Sequence, residues 1–421
     1  MTIGRPRGTN DFLPEQTEKW QAVEALLHEM GREYGYGEIR TPIFEETELF
    51  ARGVGGSTDI VQKEMYTFAD LSDRSLTLRP ENTAAVCRAY LENKLYGLGQ
   101  PVKLYYLGPM FRYERPQAGR FRQFHQFGLE FFGNADPMAD VEVISFAWDF
   151  YHRLGLKNLR LLLNSVGCPK CRPVYRQALQ DYFRPQLEQL CNLCRDRFER
   201  NPLRILDCKN EQCIKIGDDA PVIEQYLCAD CAEHYTKVKR LLDLTGIAYT
   251  EDVRLVRGLD YYTRTAFEIV VTDIGAKSAV CGGGRYDGLV EQIGGAACPA
   301  VGFAMGMERI FTALAAQNEE IELAHGMDVW VIGTGSEQAR EAAFAMAAEL
   351  RRLGMVCGID YQNKSIKAQL KAANKSGAPV AVIIGEQEAV KNVAIIKNMT
   401  EGDQKEIPLA QVRGYLVQGC R

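Results

Sequence analysis

The sequence predicts an α+β domain with an inserted helical segment, followed by a smaller α/β domain. Three observations carry this. The strand-like runs "VKLYYLGPMFRYE", "FRQFHQFGLEFFG", "TAFEIVV" and "AVGFAMGM" are separated by helical stretches without strict alternation, which favours an antiparallel sheet with helices packed on it. Residues 168–245 are helical and charged and hold eight of the thirteen cysteines, so they read as an insertion. Beyond "NEEIELAHGMD" the pattern becomes a βαβαβ series. The expected boundaries are 1–325, interrupted at 168–245, and 326–421.

The bulk numbers fit such a chain. Its 421 residues suffice for two or three domains, and 46% hydrophobic with 25% charged residues is an ordinary globular balance. No apolar run approaches the ~20 residues that span a bilayer, and "MTIGRPRGTNDFLPEQ" lacks the apolar core of a secretory signal. The expected compartment is the cytoplasm, with no membrane partner. There, thirteen cysteines suit reduced thiols or metal ligands better than disulfides. A net charge of −5 argues against nucleic-acid binding driven by bulk charge.

Along the chain, "EKWQAVEALLHEM" places Trp20, Val23, Leu26, Leu27 and Met30 on one helical face. "YGYGEIRTPIFEE" enters an extended segment in which Pro42 holds Thr41 in the β region. In residues 108–133 two extended segments flank the loop "ERPQAG". On the second, Arg122, Phe124, Gln126, Gly128 and Glu130 alternate with Phe127, Leu129 and Phe131. One polar face and one aromatic face suit either a cleft wall or a strand with one solvated side. Gly128 favours the cleft, where a ligand approaches the backbone. In "VRGLDYYTRTAFEIV" (256–270), Arg257 is either a surface charge or part of a polar pocket, and Tyr261 and Tyr262 either pack or line it. Gly282, Gly283 and Gly284 either admit a substrate to the backbone or form a tight turn.

The insertion carries Cys168-x2-Cys171, Cys191-x2-Cys194, Cys208-x4-Cys213 and Cys228-x2-Cys231. Each pair can put two thiolates on one tetrahedral metal, which allows up to two structural Zn²⁺ sites; the alternative is small buried hydrophobes. In the C-terminal domain Lys364, Lys367, Lys371 and Lys375 recur at helical spacing, either as a solvated face or as a basic stripe for phosphates.

Six stretches together resemble a known family. "GPMFRYERPQAGRFRQFHQFGLEFFG" resembles motif 2 of class II aminoacyl-tRNA synthetases, and "AVGFAMGMERI" (300–310) resembles motif 3. "RGLDYYTRTAFE", "CGGGRYDGL" (281–289), "TLRPENT" (77–83) and "RGTNDFLP" (7–14) are similar to signatures of the histidyl-tRNA synthetase family. The resemblance covers essentially the whole chain. It implies a class II catalytic domain with an antiparallel sheet, a helical insertion, and a C-terminal α/β anticodon-binding domain.

It also implies a reaction. A carboxylate must attack the α-phosphate of ATP, bringing anion to anion, so cations must neutralise the spreading charge. By resemblance Arg112 and Arg257 are the catalytic pair, approaching the α-phosphate and carboxylate from opposite sides. Arg112, Glu114, Phe124 and Arg309 hold ATP, with Mg²⁺ bridging the phosphates. Arginine forks suit phosphate oxygens better than lysines. Histidine is held by Glu81, Thr83, Arg112, Gln126, Glu130, Arg257, Tyr261 and Tyr262. Glu81, Thr83 and Gln126 take the α-ammonium and carboxylate. Glu130 accepts from the ring N–H, and a hydroxyl of Tyr261 or Tyr262 serves the ring as well, a polar pairing that rejects side chains unable to satisfy it. Arg115 and Gln117, in the motif 2 loop, are the expected readers of the tRNA(His) acceptor end. Arg264, where the family also has glycine, is given no role. The N-terminal helix and "RTPIFE" look like motif 1, implying a homodimer. The resulting reading is a histidine–tRNA ligase acting on L-histidine, ATP and tRNA(His). The alternative is a non-catalytic histidine-sensing paralogue that regulates histidine biosynthesis; such paralogues lose catalytic arginines and lack the anticodon domain, whereas Arg112, Arg257 and Arg309 stand here.

Overall fold

The computed structural model describes residues 3–56, 58, 60–116, 119–272, 279–321 and 326–419. The chain forms two compact units, Met1–Ile321 and Glu322–Arg421.

The first unit is built on an eight-stranded sheet. Its strands run in the order Gly37–Glu38, Val102–Phe111, Gln123–Phe132, Ala300–Gly306, Ala279–Arg285, Thr263–Val271, Leu159–Ser165 and Tyr249–Glu251. The interior pairs are antiparallel, and only the two outermost pairings are parallel. Alternation then sorts the side chains. Phe127, Leu129, Phe131, Phe267, Ile269, Val301, Phe303 and Met305 join one buried core with Trp20, Val23, Leu27 and Met30 of the helix Pro14–Glu33 and with the helix Pro137–Arg153. The opposite face carries Gln126, Glu130, Gly282, Gly302, Ala304 and Gly306, which border a cavity. The polar face of the 123–132 strand is therefore a cleft wall and not a solvated side.

Gly128 has a different reason from the one its position suggests. A Cβ there would lie within 3.0 Å of the Tyr106 ring, so the glycine makes room for a neighbouring side chain and not for a ligand. The triple glycine is likewise no turn: Gly282, Gly283 and Gly284 lie inside the strand Ala279–Arg285. Arg264 has φ +52°, a left-handed conformation that explains why glycine suits this position.

The insertion contains the helices Cys171–Phe183, Asn192–Arg200 and Glu211–Gly217 around Tyr175, Leu179, Phe183, Phe198 and Ile205. The following helix, Ala229–Thr245, sends Tyr235, Val238 and Leu242 into the main core, so its packing belongs to the sheet.

The second unit has a five-stranded sheet ordered Cys357–Ile359, Val329–Gly333, Val380–Ile384, Val393–Asn398 and Gln404–Pro408. The first three strands are parallel, as the βαβαβ reading expects; the last two, which it missed, are antiparallel. Lys367, Lys371 and Lys375 are exposed along the helix Ile366–Lys375, but Lys364 precedes that helix and pairs with Asp360 at 3.9 Å, so the stripe has three members and not four. Among the described residues no helix is long and apolar enough to cross a membrane.

One buried ion pair ties three elements of the first unit. The Arg285 guanidinium is fully buried and donates to Asp140, to the Asn134 carbonyl at 2.9 Å and to Asp287 at 3.2 Å. Asp140 also meets His234 Nε2 at 3.2 Å. Burial pushes the Asp140 carboxyl up, but Arg285 and His234 outweigh it and hold the group at about 2. Removing one partner leaves the other charge buried and alone, so Asp140→Ala should lose about 3–5 kcal/mol of unfolding free energy in a denaturant titration.

Candidate active site

The cavity on the sheet's small-residue face has a volume of about 270 Å³. Glu81, Thr83, Arg112, Glu114, Phe124, Gln126, Glu130, Arg257, Tyr261, Tyr262 and Arg309 all line it, so the structure brings together every side chain the sequence reading gives to histidine or ATP. They arrive from four places: the start of the helix Thr83–Glu92, the two motif 2 strands and their loop, the segment before Thr263–Val271, and the helix Met307–Gln317.

Arg257 is a half-buried cation of this wall. Its guanidinium pairs with Glu268 and lies 5.4 Å from the centre of the Tyr262 ring. Burial works against its charge, yet Glu268 and Tyr262 outweigh that, so its pKa is raised and it stays protonated. Gly282 makes the seat: a Cβ there would come within 3.0 Å of three guanidinium atoms. Arg257 Nε is buried without a hydrogen-bond partner.

Arg112 is held from behind, its Nε donating to the Pro80 carbonyl at 2.8 Å and its guanidinium 5.3 Å from the Phe124 ring centre. Glu114 accepts from Arg120 at 3.1 Å. Arg309 donates to the Ala279 carbonyl, and burial lowers its pKa. Four arginines thus line the cavity: Arg112, Arg120, Arg257 and Arg309. Guanidinium forks match phosphate and carboxylate oxygens.

The rest of the lining includes acceptors and aromatic rings. Glu81 is buried and accepts from the Thr83 and Ala84 backbone N–H groups at 2.8 and 3.0 Å, so it caps the helix Thr83–Glu92 as well as facing the cavity. Burial raises its pKa against those bonds. Glu130 is pushed up to about 8, mainly by burial and further by Glu81, while Tyr286 and Thr83 oppose the rise. The Tyr286 hydroxyl donates to Glu130 Oε2. Glu130 Oε1 and Gln126 Oε1 are buried with no donor in hydrogen-bonding geometry. Orphaned acceptors in a cavity are what a ligand with N–H donors would satisfy. Tyr261 and Tyr262 line the cavity as well, with ring centres 4.7 Å apart.

Three contributors escape the sequence reading. Tyr286 stands inside the quoted "GGGRYDG", but nothing local says that it bonds Glu130. Glu268 follows Arg257 by eleven residues, and their pairing depends on the loop between them. Gly302 lies opposite Glu130, where a Cβ would collide with its carboxylate. Arg115 is exposed on the motif 2 loop and does not line the cavity, and Gln117 lies outside the described residues.

Comparison with known proteins agrees with this arrangement. The family described as Histidyl-tRNA synthetase matches residues 8–310, and an Anticodon binding domain matches residues 328–419. A protein of Desulforamulus reducens named histidine–tRNA ligase is 58% identical over 98% of both chains. One of Pelotomaculum thermopropionicum with the same name is 56% identical over 99% of this chain and 98% of its own. The crystal structure of apo histidyl-tRNA synthetase from S. aureus superposes with a TM-score of 0.84 at 42% identity, covering 99% of this chain and all of that one. With a family match across most of the sheet-bearing unit and relatives at this identity along the full length, the chain belongs to the histidyl-tRNA synthetase family.

Proposed function

We propose that the chain is an ATP-dependent ligase that activates L-histidine and transfers it to tRNA(His). The observation that carries this is one cavity lined both by four arginines and by unpartnered buried acceptors. A carboxylate oxygen of histidine attacks the α-phosphorus of ATP, the bond to the bridging oxygen breaks, and pyrophosphate leaves. The terminal ribose hydroxyl of the tRNA then attacks the carbonyl carbon of histidyl-adenylate, and AMP leaves.

Arg112 and Arg257 neutralise the charge that gathers on the attacked phosphorus, Arg257 from the Gly282 seat and Arg112 from its tether on Pro80. Arg309, Glu114 and Phe124 hold the nucleotide. Glu114 and Glu268 offer the oxygen donors that suit Mg²⁺ beside phosphates, and the ion supplies charge neutralisation when bound. Glu130 Oε1 takes the imidazole N–H, Tyr286 fixes the other carboxyl oxygen, and Glu81 and Gln126 accept from the ammonium. The paralogue reading has no use for arginines packed at the phosphate end.

The tRNA meets the chain at two places on this reading: Arg115 and Gln117 at the acceptor end, and Lys367, Lys371 and Lys375 at the anticodon arm. A homodimer through the Arg40–Glu45 segment accounts for exposed Ile43 and Phe44. Its substrates place the work in the cytoplasm.

With each of the twenty amino acids offered, pyrophosphate should exchange into ATP with histidine alone, and Arg257→Ala should lower kcat roughly 10²- to 10³-fold. Exchange with no amino acid would favour the sensor. Glu130 gives a second expectation through pH. In the folded, ligand-free chain it keeps its proton up to about 8, against an ordinary value of 4.5. The folded state therefore binds the extra proton between these values, and stability falls as pH rises through that window. Wild type should lose thermal midpoint relative to Glu130→Gln between pH 4.5 and about 8, and added L-histidine should lessen the loss.

A further inference from the structure

The four cysteine pairs of the insertion combine two by two. Their sulfurs gather in two groups of four, Cys168, Cys171, Cys228 and Cys231 in one, Cys191, Cys194, Cys208 and Cys213 in the other, each group lying within 4.8 Å. Cys168 Sγ is 3.7 Å from Cys171 Sγ and 3.8 Å from Cys228 Sγ; Cys191 Sγ is 3.8 Å from Cys208 Sγ. Disulfide sulfurs would sit about 2.05 Å apart. A tetrahedral metal with Zn–S bonds of about 2.3 Å sets its ligand sulfurs about 3.8 Å apart along each edge.

The backbone supports the same chemistry. In three pairs the second cysteine and the next residue both donate N–H to the first cysteine's carbonyl, at 2.9–3.0 Å, as a helix begins. Backbone N–H groups also point at sulfur: Lys170 to Cys168, Cys228 to Cys171, Cys191 to Cys213 and Asn210 to Cys208, at 3.1–3.4 Å. Small hydrophobes would not need donors aimed at their sulfurs; thiolates do.

The two groups hold different things. The outer one clamps the chain where it leaves the sheet after Ser165 and where it returns at Ala229. The inner one brackets residues 195–207, and that segment reaches the active site from behind. Asn201 Nδ2 donates to Asp260 Oδ1 at 3.1 Å, and Arg204 donates to the Arg257 carbonyl at 3.4 Å. We propose that the insertion carries two Cys₄ zinc centres, and that the inner centre, Cys191, Cys194, Cys208 and Cys213, positions the loop bearing Arg257 through Asn201 and Arg204. The positioning half rests on Arg257 acting in histidine activation; the metal half does not.

The test uses the full-length chain, expressed with zinc and purified without chelator. Elemental analysis should find two zinc ions per chain, one in Cys191→Ser/Cys208→Ser and one in Cys168→Ser/Cys228→Ser. Wild-type protein without metal, whose thiols all react freely, overturns the centres whatever its activity. The inner-site variant should lose histidine-dependent exchange roughly 10- to 100-fold. Cys208→His, which keeps a zinc ligand, should recover both metal and exchange. Asn201→Ala/Arg204→Ala should keep both metals and still lose exchange, a result that misfolding of the insertion would not give. Wild-type exchange in a folded inner-site variant lacking its metal, or in the Asn201/Arg204 variant, overturns the positioning role. Two zinc ions in a wild type without exchange would leave the centres standing and remove the ligase reading alone.

Discussion

A guanidinium at a cavity wall has to stay charged despite its partial burial, and the neighbouring residues are arranged around that requirement. Arg257 pairs with Glu268, which together with Tyr262 outweighs the cost of burial, and it rests where a single missing Cβ at Gly282 leaves room. The requirement spreads to the neighbouring strands. Gly302, Ala304 and Gly306 continue the small-residue floor, and Gly302 gives the same clearance to Glu130 that Gly282 gives to Arg257. A sheet so thinly furnished on one face needs its packing elsewhere, and the Phe127, Phe303 and Phe267 face supplies it.

The same sheet separates two electrostatic jobs. Among the arginines, charge is kept by pairing with carboxylates and ring faces. At Glu130, burial favours the protonated carboxyl, with Tyr286 occupying one oxygen and leaving the second without a partner. A ring with an N–H at one edge meets that open oxygen, whereas an apolar side chain would leave it unpaired, which is how polar pockets discriminate.

Much of this was legible because alternation is local. The 123–132 strand announced its two faces in its own residues, and the motif-bearing stretches named the side chains that line the cavity. What stayed hidden is set by tertiary approach. Gly128 faces Tyr106, a partner twenty-two residues away across a hairpin. Glu268 and Tyr286 take their roles from groups brought to them by other strands. The cysteine spacings showed pairs, but which pairs share a site depends on how sixty residues fold back, and Cys168 meets Cys228 only through that path. The edge strand Gln404–Pro408 carries Gln404, Lys405 and Glu406, which blurs the apolar pattern.

On the proposed reading, the seat at Gly282 places Arg257 for catalysis. Gly282→Ala tests that placement, because the atoms nearest the new methyl belong to the Arg257 guanidinium and not to backbone, so the sheet should stay intact. Pre-steady-state formation of histidyl-adenylate, measured beside the thermal midpoint, should fall on the order of 10²-fold while the midpoint holds. Adenylate formed at the wild-type rate by a variant of unchanged stability would contradict the account.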